Sequence, residues 1–484
     1  MKLNIQELCS VDKRDVMLET EDTTDGDPTK KCLWIAHTFP PIAAVGIYRT
    51  LRFVEDLPHF GWEGIVLTVK EDAVVGHPVD HVLSQRVLPE TVVRRAGTWR
   101  LLDRCVEMVK WLWGRTNASK RTGSDQTETE HRRFNTSSRS VLRRMRNGMC
   151  AVRDVVLCTP DNCSNWIGPA FFVGCRMIVR YRPQIIFSTG PPHSAHLVGL
   201  AIHLIMRIPW VLDLRDPWAT DEWSIQESSK AQNWLQTQLE RLCVRCASRV
   251  ILNTARLKQD FISAYPQRVV HKFVVIPNGV DPSSVRPIRR YLREAGETQK
   301  TEVPILCHPG SIYRHRRLEP ICQAMQQLKD SGERVLLEQI GDVSNATELT
   351  DLLDQWDLSE VSLLSHQSHD AVLRRMALVD ILVIIEPVAT LKVPAKFYEM
   401  LLFRKPMLVL TGEGALADVM REFGIGMIAN PDDPGEIAEA IRRILQSLRG
   451  GVSEGDWDRA LAAYDSRRLT EELAEVFTTV TRHK

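Results

Sequence analysis

The chain has 484 residues, 44% of them hydrophobic and 25% charged, with a formal net charge of +1. That length exceeds one ordinary domain and fits two with sizeable cores, while the composition excludes wholesale disorder and a coiled coil. The near-zero balance also excludes whole-chain nucleic-acid binding, which needs many Lys and Arg contacts to phosphate, so any anion site must be local.

The predicted elements begin after a polar lead-in, residues 1–30, which carries Glu19, Glu21, Asp22, Asp25 and Asp27 and is expected to be disordered. It lacks the basic start and apolar run of an export signal. The longest apolar stretch, Leu197 to Ile208, is interrupted by His203 and Arg207 and falls short of the roughly 18–20 residues that span a bilayer. The 11 cysteines form an odd, irregularly spaced set, which reads as reduced thiols in a cytoplasmic protein. Cys243 and Cys246 form a C-x-x-C inside a helical pattern, without a second pair to complete a zinc site.

From Lys31 onward, short apolar or β-branched runs alternate with helical periodicity, the pattern of an α/β protein with parallel sheets. In the first block we expect strands at Leu33–Ala36, Gly64–Val69, Gln184–Ser188, Trp210–Leu214, Arg249–Asn253 and Phe273–Ile276. A helix over Val45–Phe60, with Leu51, Val54 and Leu57 on one face, follows the first strand through a short loop. Residues 113–154 break the pattern with Ser, Thr, Asn and a crowd of arginines, and read as a basic insertion that could contact an anionic membrane or stay solvated. Residues 282–302, with Pro287 and several charges, read as the linker between domains 31–281 and 303–484. The second block predicts strands at Pro304–Cys307, Arg334–Gln339, Val361–Leu364, Ile381–Ile385, Met407–Leu410 and Gly426–Ala429, with C-terminal helices completing that domain. Open α/β sheets bind ligands beyond the carboxyl ends of their strands.

Five strings lie at such strand ends. Val275-Ile276-Pro277-Asn278-Gly279-Val280-Asp281 is a strand running into a turn; Pro40 to Thr50 is a small-residue loop opening a helix, with Gly46 and Arg49. Ser188-Thr189-Gly190-Pro191-Pro192-His193 pairs with Asp213-Leu214-Arg215-Asp216-Pro217-Trp218 on the next strand. Pro309-Gly310-Ser311-Ile312-Tyr313-Arg314-His315-Arg316-Arg317 offers a close backbone approach with arginine donors suited to phosphate. Lys392-Val393-Pro394-Ala395-Lys396-Phe397-Tyr398-Glu399 has a proline suited to the first helical turn and a glutamate more than one turn inside. A histidine such as His193 is often a satisfied core residue on a helix; at a strand end it has a view of ligand.

Together these strings resemble glycosyltransferase family 4. The resemblance implies the GT-B architecture: two facing Rossmann-like domains with a cleft between them, the C-terminal one binding a nucleotide-sugar donor. It implies a retaining transfer to a carbohydrate or lipid-linked acceptor, in polysaccharide or glycolipid biosynthesis, with no cofactor and no metal. His193 and Asp216 would then be catalytic; Gly46, Gly310, Ser311, Arg316, Arg317, Lys392, Pro394, Lys396 and Glu399 would hold the donor, with Glu399 on ribose; Arg49 and Arg215 would meet the acceptor. The chain departs from the family at Ala43 and Ala44, where glycines are common, and at Leu391, where a second glutamate commonly precedes Glu399; Glu386 is the nearby substitute. Those departures leave two other readings open, a non-catalytic nucleotide-sugar-binding protein and a sugar-nucleotide epimerase.

Overall fold

The computed structural model of the chain describes residues 29–44, 46–74, 79–99, 159–220, 228–297, 303–313, 315–387, 390–450 and 455–482. The basic insertion expected at 113–154 lies outside them, as does the expected disordered lead-in 1–30 except for its last two residues, of which Lys30 opens the first strand. The chain divides into two compact units, one comprising Lys30–Gly279 together with the C-terminal helix, the other Val280–Asp465.

The first unit is built on β1 (Lys30–Ala36), α1 (Ile47–Asp56), β2 (Trp62–Val69), α2 (His81–Gln85), β3 (Val93–Ala96), α3 (Ile167–Tyr181), β4 (Ile185–Gly190), α4 (Ser194–Met206), β5 (Trp210–Leu214), α5 (Lys230–Cys246), β6 (Arg249–Leu252), α6 (Ala255–Ala264), α7 (Gln267–Val270) and β7 (Phe273–Val275). Its seven strands are parallel, in the order β3-β2-β1-β4-β5-β6-β7. Every residue of β4 and β5 is buried, because helices cover both sheet faces; the strands therefore read as apolar runs rather than alternations. Consecutive side chains nonetheless part to opposite faces: Phe187 meets Phe477, while Ser188 lies under Gly199 of α4. Ser229 and Gln232 form a capping box at the start of α5, and Thr254 caps α6, which satisfies amide groups no helical carbonyl can reach. Cys243 is buried in α5 as a free thiol, as the packing reading of its C-x-x-C expects.

The second unit runs α8 (Pro282–Glu297), β8 (Ile305–Pro309), α9 (Glu319–Asp330), β9 (Leu336–Ile340), α10 (Ala346–Gln355), β10 (Val361–Leu364), α11 (His369–Leu378), β11 (Ile381–Ile385), α12 (Ala395–Met400), β12 (Met407–Leu410), α13 (Ala415–Phe423), β13 (Gly426–Ala429), α14 (Pro434–Gly450) and α15 (Trp457–Ala463). Its six parallel strands are ordered β10-β9-β8-β11-β12-β13. Two cores flank this sheet, one gathering Cys307, Leu382, Ile384 and Val409, the other Leu306, Ile381, Val383 and Leu408. The alternation along β8, β11 and β12 thus feeds both.

Three expectations need correction. Residues 282–297 are not a linker but helix α8: Ile288 and Tyr291 are buried, and Val285 and Leu292 pack beside them, an apolar stripe that Pro287 and the charges obscured. The edge strand β3 was not expected, because Val93-Arg94-Arg95-Ala96 carries the charge that protects an open sheet edge. The last helix, α16 (Ser466–Arg482), belongs with the first sheet rather than the second. Thr478 accepts from Trp62 Nε1 at 3.3 Å, Ser466 donates to Asp56 at 3.3 Å, and Phe477 packs edge-on against Trp62. Periodicity announced its apolar face, not which sheet covers it.

Candidate functional site

In each sheet the strand order reverses once, between β1 and β4 in the first and between β8 and β11 in the second. The loops leaving those strands diverge there, opening the place where α/β sheets bind ligands.

In the first unit that opening is occupied by protein. Arg215, just past β5, donates from Nη1 to the Gly46 carbonyl at 2.6 Å, from Nε to the Gly190 carbonyl at 3.2 Å, and from Nη2 to the Pro191 carbonyl. A Cβ on Gly46 would sit 1.7 Å from Arg215 Nη1, so any larger residue there would have to displace the guanidinium from these carbonyls. Gly46, expected at the donor, and Arg215, expected at the acceptor, are thus joined to each other within the first unit. Arg49 is likewise structural: it pairs with Asp213 at 2.8 and 3.2 Å and donates to the Ile276 and Pro277 carbonyls at 2.9 and 2.6 Å. With Thr189 also donating to Asp213 at 2.7 Å, a buried charge pair ties α1, β4, β5 and the turn after β7 together. The fifth N–H of Arg49 points to Asn278 Oδ1 at 3.4 Å, which leaves the fork without a spare donor.

His193 is buried at the start of α4, its ring stacked on Trp218 with centroids 4.7 Å apart. Burial holds its pKa well below the usual histidine value, helped by the neighbouring His196 and Arg215. His196 is pushed down to about 3, again chiefly by burial, and its Nδ1 lies 3.0 Å from the Ser188 hydroxyl, which accepts from Trp210 Nε1. His193 Nδ1 and His196 Nε2 are buried without a hydrogen-bond partner among the described residues. Neutral imidazoles so placed can orient a hydroxyl but hold no charge at pH 7. Asp161 accepts from the Ser194 amide at 2.8 Å and from its hydroxyl, pinning the start of α4. Asp216 is half-buried beside Arg215, whose guanidinium it helps keep charged.

In the second unit the opening is lined by a turn and by cations. Gly310 and Ser311 follow β8, and Gly341, at φ +126°, lets the turn pass 3.0 Å from where a Cβ would stand. A buried relay braces it: His308 Nδ1 lies 2.6 Å from Gln339 Oε1, and Gln339 Nε2 donates to the Gly310 carbonyl at 2.5 Å. Burial pushes His308 down to about 4, so it serves as a neutral donor. Lys396, on α12, reaches back to the Pro309 carbonyl; desolvation lowers its pKa, against the pull of Glu399 and Cys307. Arg316 stacks over Tyr313 at 4.8 Å and pairs with Glu386, the residue just after β11. Arg317 turns instead to Glu319 at 3.5 Å and is largely exposed, which separates the two arginines that the sequence offered as equals. Pro394 is the N-cap of α12 rather than within its first turn, and Lys392 stands half-buried in the loop before it. Glu399 lies one turn beyond Lys396 on the same helix face; its Oε1 accepts from His369 Nε2 at 2.8 Å and from the Ser284 hydroxyl at 3.3 Å.

Asp161, Trp218, His308, Gln339, Ser284 and His369 were not singled out from sequence. Their partners lie far along the chain, and no spacing rule connects them.

The Glycosyltransferase Family 4 model matches residues 131–284, and the Glycosyl transferases group 1 model matches residues 293–449. No curated protein sequence matches the chain. Among solved structures, a glycosyltransferase from Rickettsia africae ESF-5 aligns with a TM-score of 0.61 at 10% identity, covering 94% of this chain and 100% of that one. Sucrose-phosphate synthase from Thermosynechococcus elongatus aligns with 0.60 at 13% identity, over 94% and 100%. HepE from Anabaena, solved with UDP and glucose, aligns with 0.55 at 15% identity, over 93% and 99%. At these identities the structures establish the fold, while the two sequence matches, one in each unit, establish the kinship. The chain belongs to the family 4-like glycosyltransferases and has the GT-B fold.

Proposed function

We propose that the chain is a retaining, metal-independent transferase that moves a sugar from a nucleoside-diphosphate sugar to a carbohydrate or lipid-linked acceptor, at the cytoplasmic stage of polysaccharide or glycolipid assembly. The observation behind this is the second unit's cluster: the Gly310–Ser311 turn with Lys396 and Arg316 beside it, and Glu399 one helical turn from Lys396. Two cations beside a close-approaching glycine turn suit a diphosphate. A carboxylate with one oxygen held by His369 and Ser284 keeps the other for a ribose hydroxyl. HepE, which shares the fold, was solved with UDP-glucose, which makes UDP-sugars the first donors to try.

In this reading the bond from the anomeric carbon to the diphosphate oxygen breaks as the acceptor oxygen bonds to that carbon on the same face. The acceptor proton passes to the departing phosphate. Lys396 and Arg316 stabilise the charge that develops on the leaving group, the term worth most in such chemistry. A donor phosphate competes with Glu386 for Arg316. In the first unit, His193 and Asp216 are assigned to the acceptor.

The test is thermal unfolding with UDP, GDP, ADP and TDP sugars, since a ligand that binds only the folded chain stabilises it by about 2.7 kcal/mol at a hundredfold excess over Kd. One nucleotide should raise Tm. In Glu399→Ala the free protein should lose less than ~1 kcal/mol with its His369 contact, while donor affinity falls by about 1.5–3 kcal/mol, the loss of a hydrogen bond to a charged group. No shift with any nucleotide would overturn the reading in favour of a chain that does not bind donors.

A further inference from the structure

Helices α3, α4 and α5 lie side by side on one face of the first sheet, α3 against α4 and α4 against α5. Their outward faces are unusually apolar for exposed helices. Val179 is 70% exposed, Ile205 63%, Trp234 65% and Leu204 57%; Phe172 and Leu242 are exposed as well. Phe172 and Val179 are seven residues apart on α3, and Trp234 and Leu242 eight apart on α5, so each pair shares a helix face. Scattered exposed apolar residues are ordinary, but a patch spread over three adjacent helices marks an interaction surface.

Among the described residues of these three helices and their C-caps, the exposed charges have one sign. Residues 162–212, which include all of α3 and α4, contain no Asp or Glu, and the one acid of α5, Glu240, is buried. Arg176, Arg180, Arg182, Arg207, Arg241 and Arg245 are all exposed. Arginines near helix C-termini are favoured by the helix dipole, which accounts for Arg180, Arg182, Arg207 and Arg245. It does not account for the aliphatic side chains beside them or for the missing acids.

We propose that the outward face of α3, α4 and α5 docks the protein on an anionic lipid bilayer. Aliphatic and indole side chains enter the acyl boundary, while arginines keep their guanidinium groups at the phosphates. Two other occupants fit less well. A second copy of the same face would bring arginines against arginines with no carboxylate between them, and a nucleic acid has nothing to cover Val179, Leu204 and Ile205.

The experiment is flotation of the full chain with phosphatidylcholine vesicles, with and without phosphatidylglycerol, at low salt. The chain should float with the anionic vesicles only. Arg180→Ala with Arg207→Ala should weaken binding about fivefold per arginine removed, and Leu204→Glu with Ile205→Glu should abolish it. Leu378→Glu with Leu448→Glu, at exposed positions in the second unit, should float like the parent chain. Melting temperatures of all variants confirm that each is folded, and the arginine pair, which leaves every apolar contact in place, keeps the test decisive if the glutamates disturb folding. Absence of flotation with anionic vesicles would overturn the proposal, as would flotation undiminished in both patch variants, which would put the contact elsewhere. A parent chain that is dimeric by light scattering and becomes monomeric with Leu204→Glu and Ile205→Glu would also overturn it, in favour of a second copy.

Discussion

The two units answer one topological situation in opposite ways. Each sheet opens where its strand order reverses, but in the first unit Arg215 fills the opening by donating to the Gly46, Gly190 and Pro191 carbonyls, with the Arg49–Asp213 pair buried nearby. In the second, the Gly310–Ser311 turn is braced from below by Gln339, and its cations stand at the rim, against carbonyls and carboxylates that a ligand could displace. Arginines that follow sheet strands can therefore be mortar between loops in one unit, as Arg215 is, and rim groups paired to a carboxylate in the other, as Arg316 is. What separates them is the supply of internal acceptors.

The largest expected effect would break this comparison if it failed. Arg49→Ala leaves Asp213 buried and unpaired, which costs about 3–5 kcal/mol, read by urea unfolding of the full chain. Stability changed by less than ~1 kcal/mol, with a raised acceptor KM, would return Arg49 to the acceptor site.

Acid should come next. His196 sits at about 3 in the folded chain, below the ~6.5 of an unfolded histidine, and His193 is shifted in the same direction. Between those values the unfolded chain binds more protons, so the stability that neutral imidazoles contribute is complete above ~6.5 and lost as pH falls toward 3. The effect should reach a few kcal/mol and be smaller in His196→Gln when denaturant midpoints are compared from pH 7 to pH 4. Parallel curves for the two proteins would mean a solvated ring.

The smallest effect sharpens the second unit. The hydrogen bond to Glu399 raises the His369 pKa, ahead of opposing desolvation and with help from the charges of Glu399 and Asp281, against Lys396. A raised pKa means stability that is present below the unfolded value and lost as pH rises through the folded one. Because the His369 side chain is 59% exposed, screening limits the contribution to less than ~1 kcal/mol. His369→Gln should differ from the parent near pH 6 and match it at alkaline pH; an equal difference at both would mean packing rather than charge.

Much of this was legible beforehand. Strands β5, β11 and β12 run as expected from their apolar runs, because a strand buried on both faces needs no partner to announce itself, and the partly buried edge strands β10 and β13 match as well. Lys396 reaches back to the carbonyl just before the Gly310 turn and Glu399 lies one helical turn on, an adjacency in keeping with motifs quoted at strand ends. Less visible were α8, whose stripe is broken by Pro287, and β3, whose arginines suit an edge.

By itself the sequence determined two parallel α/β units, the place of all but one of their strands and the polar strings near the strand ends, since periodicity and turn chemistry act over a few residues. Only the tertiary structure decided which of those polar groups are free for a ligand. Arg49 finds Asp213 across 164 positions, Gln339 finds Gly310 across 29, and α16 finds Trp62 across more than 400. A side chain's availability depends on the acceptors that folding brings beside it, and those distances have no signature along the chain.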